Sequence, residues 1–174
     1  ISSFIIEPKW NGIRAVVGVG DGNVRILTKE GNRVTGFPDL EDRIRSLGRN
    51  RRGLVLDGEI IAGTGRTDNE RQTVINQIFS GAPPLPSILS AVRRQTGTIT
   101  FVAFDILMLD GVSLIEYPIE GRKNALARLI PDEVQRQLNI EVTDFVTDDQ
   151  LTYRGVVKGM EFEGVVLKRQ GSKY

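Results

Sequence analysis

Glu7-Pro8-Lys9-Trp10-Asn11-Gly12-Ile13-Arg14 decides how this chain is read. It places a lysine at the end of one predicted strand, a glycine turn after it, and an arginine on the next strand. A lysine amine is a good nucleophile only when deprotonated. In general, nearby cations or desolvation can lower the pKa of such an amine, and a turn can hold it at the mouth of a cleft. Gly12 would let the backbone come close to a phosphate. Alone, Lys-x-x-Gly equally describes an exposed lysine before a turn, so the rest of the chain must supply its meaning.

Residues 4–6 are strand-like and lead into Glu7. The β-branched runs 13–19 and 24–28 are joined by Gly20-Asp21-Gly22-Asn23, a hairpin signal. Phe37-Pro38-Asp39 opens a predicted helix over Leu40, Ile44 and Leu47, stopped by Gly48. Two short apolar pieces, 54–56 and 60–62, flank Asp57-Gly58-Glu59, which reads as a turn between strands. A polar loop is expected over 63–69, with helices over 72–79 and, capped by Ser87, up to residue 94. The run 99–107 is the strongest strand, closed by Asp110-Gly111. Residues 119–129 have helical periodicity. Pro131, with Asp132 and Glu133 behind it, opens another helix. Residues 140–145 read as strand, 148–158 as helix and 164–168 as strand. Strands in groups with hairpins and helices between them predict a mixed, largely antiparallel α+β fold.

Three further constellations carry chemistry. Glu59, in Leu56-Asp57-Gly58-Glu59-Ile60, could accept hydrogen bonds from ribose hydroxyls or hold a metal-bound water; solvated acids at a hairpin are the plain alternative. Phe104, in the strand Phe101-Val102-Ala103-Phe104-Asp105-Ile106-Leu107, could stack on a purine or be ordinary core. Glu163-Gly164-Val165-Val166-Leu167-Lys168-Arg169 opens with a candidate Mg²⁺ ligand, Glu163, and carries Lys168, which could meet a phosphate; a half-buried strand with charged ends is the plain alternative. In this order the four stretches supply a nucleophile, a ribose ligand, a base-stacking face and a divalent-cation ligand, the set that nucleotidyl transfer needs.

Composition narrows the chemistry further. The 174 residues contain neither cysteine nor histidine. Disulfides, thiolate metal sites, Ser-His-Asp triads and His-ligated zinc are therefore excluded within this chain. Any metal would be a hard cation on carboxylate oxygen. No apolar run approaches the roughly 18–20 residues that cross a bilayer. The net charge of +1 does not announce nucleic acid. Arg43, Arg45, Arg49, Arg51 and Arg52 nevertheless cluster, either as a solvated helix end and loop or as a phosphate-backbone contact.

Lys9-Trp10-Asn11-Gly12-Ile13-Arg14 resembles the K-x-D-G-x-R motif of the covalent nucleotidyltransferases: ATP-dependent DNA ligases, RNA ligases and mRNA capping enzymes. Asp57-Gly58-Glu59, Phe101 to Asp105 and Glu163-Gly164-Val165-Val166 resemble that family's later motifs. Between them, Phe37-Pro38-Asp39-Leu40, Phe104 to Gly111 and Glu120-Gly121-Arg122-Lys123 are similar to bacterial ATP-dependent ligases of the repair type. The resemblance covers nearly the whole chain. It implies an adenylation-domain fold, with antiparallel sheets flanked by helices around an ATP cleft, and a single domain over 1–174. The chain stops before the family's fifth motif and the oligonucleotide-binding (OB-fold) domain that normally follows, so a fragment of something longer is expected.

The resemblance also implies roles. Lys9 would attack the α-phosphorus of ATP, and AMP would pass to the 5′-phosphate of nicked double-stranded DNA before sealing, in repair, recombination or replication. Glu7 would contact the adenine edge, Phe104 stack on the ring and Glu59 hold the ribose. Arg14 would meet ribose or phosphate, Lys29 and Lys168 would serve the same nucleotide site, and Glu163 with Glu59 would place Mg²⁺ (or Mn²⁺). The parent is expected to be a monomeric, cytoplasmic, nucleoid-associated bacterial protein without a membrane segment. Asn11 stands where DNA ligases usually carry Asp, and Lys29 where arginine is common; a lysine lacks the planar fork that grips phosphate. The alternatives are an RNA ligase or capping-type enzyme, and a non-catalytic nucleic-acid-binding remnant.

Overall fold

The computed structural model describes residues 4–62, 99–147 and 164–174. The β-branched runs form the strands β1 (Phe4–Lys9), β2 (Ile13–Gly20) and β3 (Asn23–Thr28). β2 and β3 are joined by Asp21 and Gly22, both at positive φ (49° and 75°), the conformation that a two-residue hairpin demands. Helix α1 (Pro38–Leu47) follows, with proline in its first turn, Asp39 and Glu41 at its positive end, and Leu40, Ile44 and Leu47 buried. Then come β4 (Leu54–Ala62), β5 (Ile99–Leu109), β6 (Val112–Ser113), α2 (Ile119–Leu129), α3 (Asp132–Leu138), β7 (Ile140–Val142), β8 (Val146–Thr147) and β9 (Gly164–Arg169). The predicted loop over 63–69 and the predicted helices over 72–79, 87–94 and 148–158 lie outside the described residues.

The strands form two sheets. The larger runs β3-β2-β4-β5-β6, with β7 added to β5, and the smaller runs β8-β1-β9. Every pairing among them is antiparallel except β5 with β7. The core lies against one face of the larger sheet. Ala15, Val17, Ile26, Leu56, Phe101 and Ile106 meet Phe37, Leu40 and Ile44 there, and Leu126 and Ile140 close the same cluster. Burying such a side chain is worth about 1.5–3 kcal/mol, so this layer fixes which way each strand's alternate residues face.

Two expectations need correction. Asp57-Gly58-Glu59 is not a turn: β4 passes straight through it as a single nine-residue strand. The acids are tolerated mid-strand because both face away from the core. Gly58 is required because a Cβ there would meet the Val102 carbonyl oxygen at 2.4 Å and the Phe101 ring at 2.5 Å. The predicted strand 140–145 is split. β7 pairs with β5 in the larger sheet and β8 with β1 in the smaller, so Thr143 to Phe145 carry the chain between sheets. Thr143 anchors that crossing by donating its N–H to the Ala103 carbonyl (2.9 Å) and accepting from Trp10 Nε1 at its hydroxyl (2.9 Å).

Candidate active site

The two sheets leave a cavity of about 500 Å³ between them, lined by side chains whose sequence positions run from 7 to 174. In the smaller sheet, period-2 alternation puts Glu7 and Lys9 of β1 on the cavity side. β9 presents Val166, directly across from Glu7, and Lys168, across from Ile5. In the larger sheet, Arg14 of β2 lies opposite Glu59 of β4, and Val16 lies opposite Asp57.

A β-bulge decides the rest. Asp57 pairs with Asp105 and its neighbour Gly58 with Ala103, so Phe104 is an extra residue on β5. The extra residue lets adjacent positions, Phe104 and Asp105, both line the cavity. The core side resumes at Ile106, which pairs with Leu56.

Three charged groupings fill the walls. Arg14 grips Asp57 with two prongs, Nε to Oδ1 at 3.2 Å and Nη2 to Oδ2 at 2.7 Å, and its guanidinium carbon lies 5.8 Å from the centre of the Phe104 ring. Arg122 grips Asp105 in the same way, Nε to Oδ1 at 2.8 Å and Nη2 to Oδ2 at 3.0 Å. Glu7 is buried and holds two ammonium groups, Lys123 at Oε1 and Lys168 at Oε2 (2.8 Å), while the Lys168 ammonium also stands 4.8 Å from the Phe104 ring centre. Burial pushes the Lys123 amine below its ordinary value, and Glu7 opposes the fall. Glu59 differs in kind. Burial pushes its carboxyl up to about 7, with the Arg14 charge opposing, the Asp57 charge adding, and the Gly12 N–H and Lys9 opposing further.

Of the residues singled out from the sequence, Glu7, Lys9, Arg14, Glu59, Phe104 and Lys168 line this single cavity. Lys29 does not. It sits beyond the end of β3, its side chain 71% exposed and its ammonium 3.6 Å from Glu30. Glu163 lies outside the described residues. Among the described residues no three carboxylates group as a ready-made cation site. A glycine is required at position 12, where a Cβ would meet the Ile60 carbonyl oxygen at 2.3 Å. Three members of the arginine cluster serve the fold. Arg43 donates to the carbonyls of Ile99 (2.7 Å) and Asn139 (2.8 Å), Arg45 pairs with Asp42, and Arg51 pairs with Asp110.

Sequence reasoning gave no role to Lys123 or Tyr174. The signal for Lys123 was available. Arg122 and Lys123 fall on the same helical stripe as Ile119, Leu126 and Leu129, and cations on an apolar stripe need buried partners. Nothing local marks Tyr174, which reaches the cavity only through tertiary packing.

The chain is similar to known proteins along nearly its whole length. The family model described as "ATP dependent DNA ligase domain" matches residues 2–174. The SPbeta prophage-derived DNA ligase-like protein LigB of Bacillus subtilis (strain 168) is 27% identical over 173 residues, 99% of this chain and 56% of its own length. The multifunctional non-homologous end joining protein LigD of Mycolicibacterium smegmatis is 29% identical over 97% of this chain and 19% of its own length. A solved mycobacterial DNA ligase D complexed with ATP and MES superposes with a TM-score of 0.65 at 27% identity, covering 99% of this chain and 50% of that one. The chain thus spans about half, or less, of the relatives it matches. With the family model matched along nearly its entire length, the chain belongs to the ATP dependent DNA ligase domain family.

Proposed function

We propose that the cavity between the sheets binds ATP and that Lys9 takes up AMP from it, as the first half-reaction of a parent DNA ligase. The observation that carries this reading is the convergence of Lys9, Glu59, Phe104, Glu7, Arg14 and Lys168 on one cavity of about 500 Å³, a size suited to a small-molecule ligand. Phe104 offers its ring to the base, with Val166 also lining the cavity. Glu59 is the acceptor for ribose hydroxyls. Arg14, already oriented by Asp57, presents cationic charge to ribose or phosphate.

The Lys9 nitrogen forms a bond to the α-phosphorus and gives up a proton. The bond from that phosphorus to the pyrophosphate oxygen breaks, and the electron pair leaves with pyrophosphate. AMP then passes to the 5′-phosphate of nicked DNA, where attack by the 3′-hydroxyl seals the strand and releases AMP. Glu59 is a hard oxygen donor at the cavity wall and fits a share in holding Mg²⁺ or Mn²⁺, with Glu163 as the further candidate. Such an ion, when bound, neutralises phosphate charge. The parent acts on DNA in the bacterial cytoplasm, a reading supported by its likeness to the end joining protein LigD.

The test is incubation with α-labelled ATP and Mg²⁺, followed by denaturing electrophoresis. The wild type takes up label from ATP and not from GTP, and Lys9→Ala takes up none. Label that persists in Lys9→Ala, or a wild type that stays unlabelled both alone and within its full-length parent, overturns the proposal.

A further inference from the structure

The cavity has a wall that the nucleotide reading leaves without a task. Residues 170–174 leave β9, in the smaller sheet, and cross to the larger one. The crossing is tied down at successive residues. Gly171 donates its N–H to the Glu120 carboxylate (2.9 Å). The Ser172 carbonyl accepts from the Ile119 N–H (2.9 Å) and from Arg122 Nη1 (3.3 Å). Lys173 pairs with Glu116 (2.6 Å), and the Tyr174 N–H donates to the Ile115 carbonyl (3.0 Å).

This strap delivers the Tyr174 hydroxyl to the Arg14–Asp57 pair. The hydroxyl donates to Asp57 Oδ2 at 2.8 Å and accepts from Arg14 Nη2 at 3.2 Å, while the ring lies 5.9 Å from the Arg122 guanidinium carbon. Asp57 is fully buried, and Arg14 is about half exposed to the cavity. A buried carboxylate with few donors is a poor anchor, and one that accepts from every side fixes its partner's geometry. The Tyr174 hydroxyl closes a triangle of hydrogen bonds with Arg14 and Asp57. Burial, followed by the hydrogen bond to Asp57, also pushes the Tyr174 phenol above its ordinary value, so the hydroxyl keeps its proton, and with it its donor role, at neutral pH.

We infer that Tyr174 is a positioning residue for nucleotide binding, its hydroxyl locking Arg14 through Asp57 in the orientation that meets the ribose or phosphate of the bound nucleotide. This rests on the ATP reading of the cavity. It adds that a residue on the strap after β9, far in sequence from the lysine motif, sets the geometry of that motif's arginine.

The experiment is a titration of this chain with ATP, read by the fluorescence of Trp10, which is the chain's sole tryptophan and lines the cavity. Four proteins are compared: wild type, Tyr174→Phe, Arg14→Gln and the double variant, with thermal unfolding followed in parallel. Tyr174→Phe keeps the ring and removes only the hydroxyl. It should weaken ATP binding roughly three- to tenfold, the worth of one hydrogen bond in a charged network, without a matching loss of thermal stability. Arg14→Gln should weaken binding at least as much, and Tyr174→Phe should then add nothing in the double variant. That non-additivity separates positioning through Arg14 from a general structural role. Wild-type affinity in Tyr174→Phe, or an undiminished Tyr174→Phe effect in the Arg14→Gln background, overturns the inference while leaving the ATP site standing. A wild type that does not bind ATP at all overturns both.

Discussion

Arg122 and Asp105 face each other as a buried two-pronged pair, with guanidinium-to-carboxylate distances of 2.8 and 3.0 Å and side-chain exposures of 2% and 4%. The pair joins helix α2 to the bulged strand β5, and Asp105 Oδ1 also accepts the Ile106 N–H at 2.9 Å. It therefore holds in place the bulge that puts Phe104 on the cavity side. Removing one partner leaves an uncompensated buried charge, which costs about 3–5 kcal/mol. Arg122→Met should lower the stability measured by urea unfolding by about that much. The Arg122→Met/Asp105→Leu pair should recover a large part, because it leaves no orphan charge.

Glu59 should make nucleotide binding pH-dependent near neutrality. Its carboxyl is pushed up to about 7 by burial, and only its ionised form has both oxygens free to accept ribose hydroxyls. ATP affinity should rise as pH increases through about 7 in the wild type and stay flat through that region in Glu59→Gln. The effect on stability has the opposite sign. Where the folded carboxyl is protonated and the unfolded one is not, the native state holds the extra proton. Wild-type stability should therefore fall, relative to Glu59→Gln, as pH rises from the ordinary value of 4.5 to about 7, and level off above it. Parallel pH series of ATP titration and urea unfolding read both effects.

Glu7→Gln should destabilise the chain in a manner that higher pH relieves. The substitution strips Lys123 of the carboxylate that opposes its downward shift and leaves a buried ammonium. The expected loss is about 3–5 kcal/mol with the lysine charged. A lysine whose folded pKa is depressed is neutral in the folded state while still protonated in the unfolded chain, so stability recovers as pH climbs toward the ordinary lysine value. Urea unfolding of Glu7→Gln at neutral and alkaline pH measures it; a loss independent of pH would contradict a buried Lys123 charge as its source.

Gly58→Ala tests the continuity of β4. The added Cβ would lie 2.4 Å from the Val102 carbonyl oxygen and 2.5 Å from the Phe101 ring, so β5 must move away. Overpacking of this kind costs about 1–3 kcal/mol. Because Asp57 and Glu59 flank the glycine, ATP binding should fall together with the thermal midpoint. An unchanged midpoint would mean that β4 and β5 are not held this closely.

The available chemistry and most of the elements follow from local sequence signals. Missing histidine and cysteine left Lys, Asp, Glu, Tyr, Ser and Thr as the groups that can act as nucleophile or move a proton. The Asp21-Gly22 hairpin, the proline-led helix α1 and the apolar stripe of α2 all stand where their local signals put them. The motif order picked out Glu7, Lys9, Arg14, Glu59, Phe104 and Lys168, and all six line one cavity. These features were legible because turn chemistry, helix capping and periodicity act over a few residues.

The remaining features depend on contacts between distant segments. The run Asp57-Gly58-Glu59 has the composition of a turn, and becomes mid-strand only because β2 and β5 pair with it on both sides. The extra residue at Phe104 is a register relation between two strands, which neither strand encodes alone. Lys29 keeps its place after the lysine motif in sequence, yet the β2–β3 hairpin leaves it exposed beyond the end of β3 and outside the cavity lining. Tyr174, 160 positions from Arg14, meets it because the strap after β9 crosses between the sheets. Local propensity fixes φ and ψ over short spans, while the partner of a buried charge is set by which surfaces the core brings together.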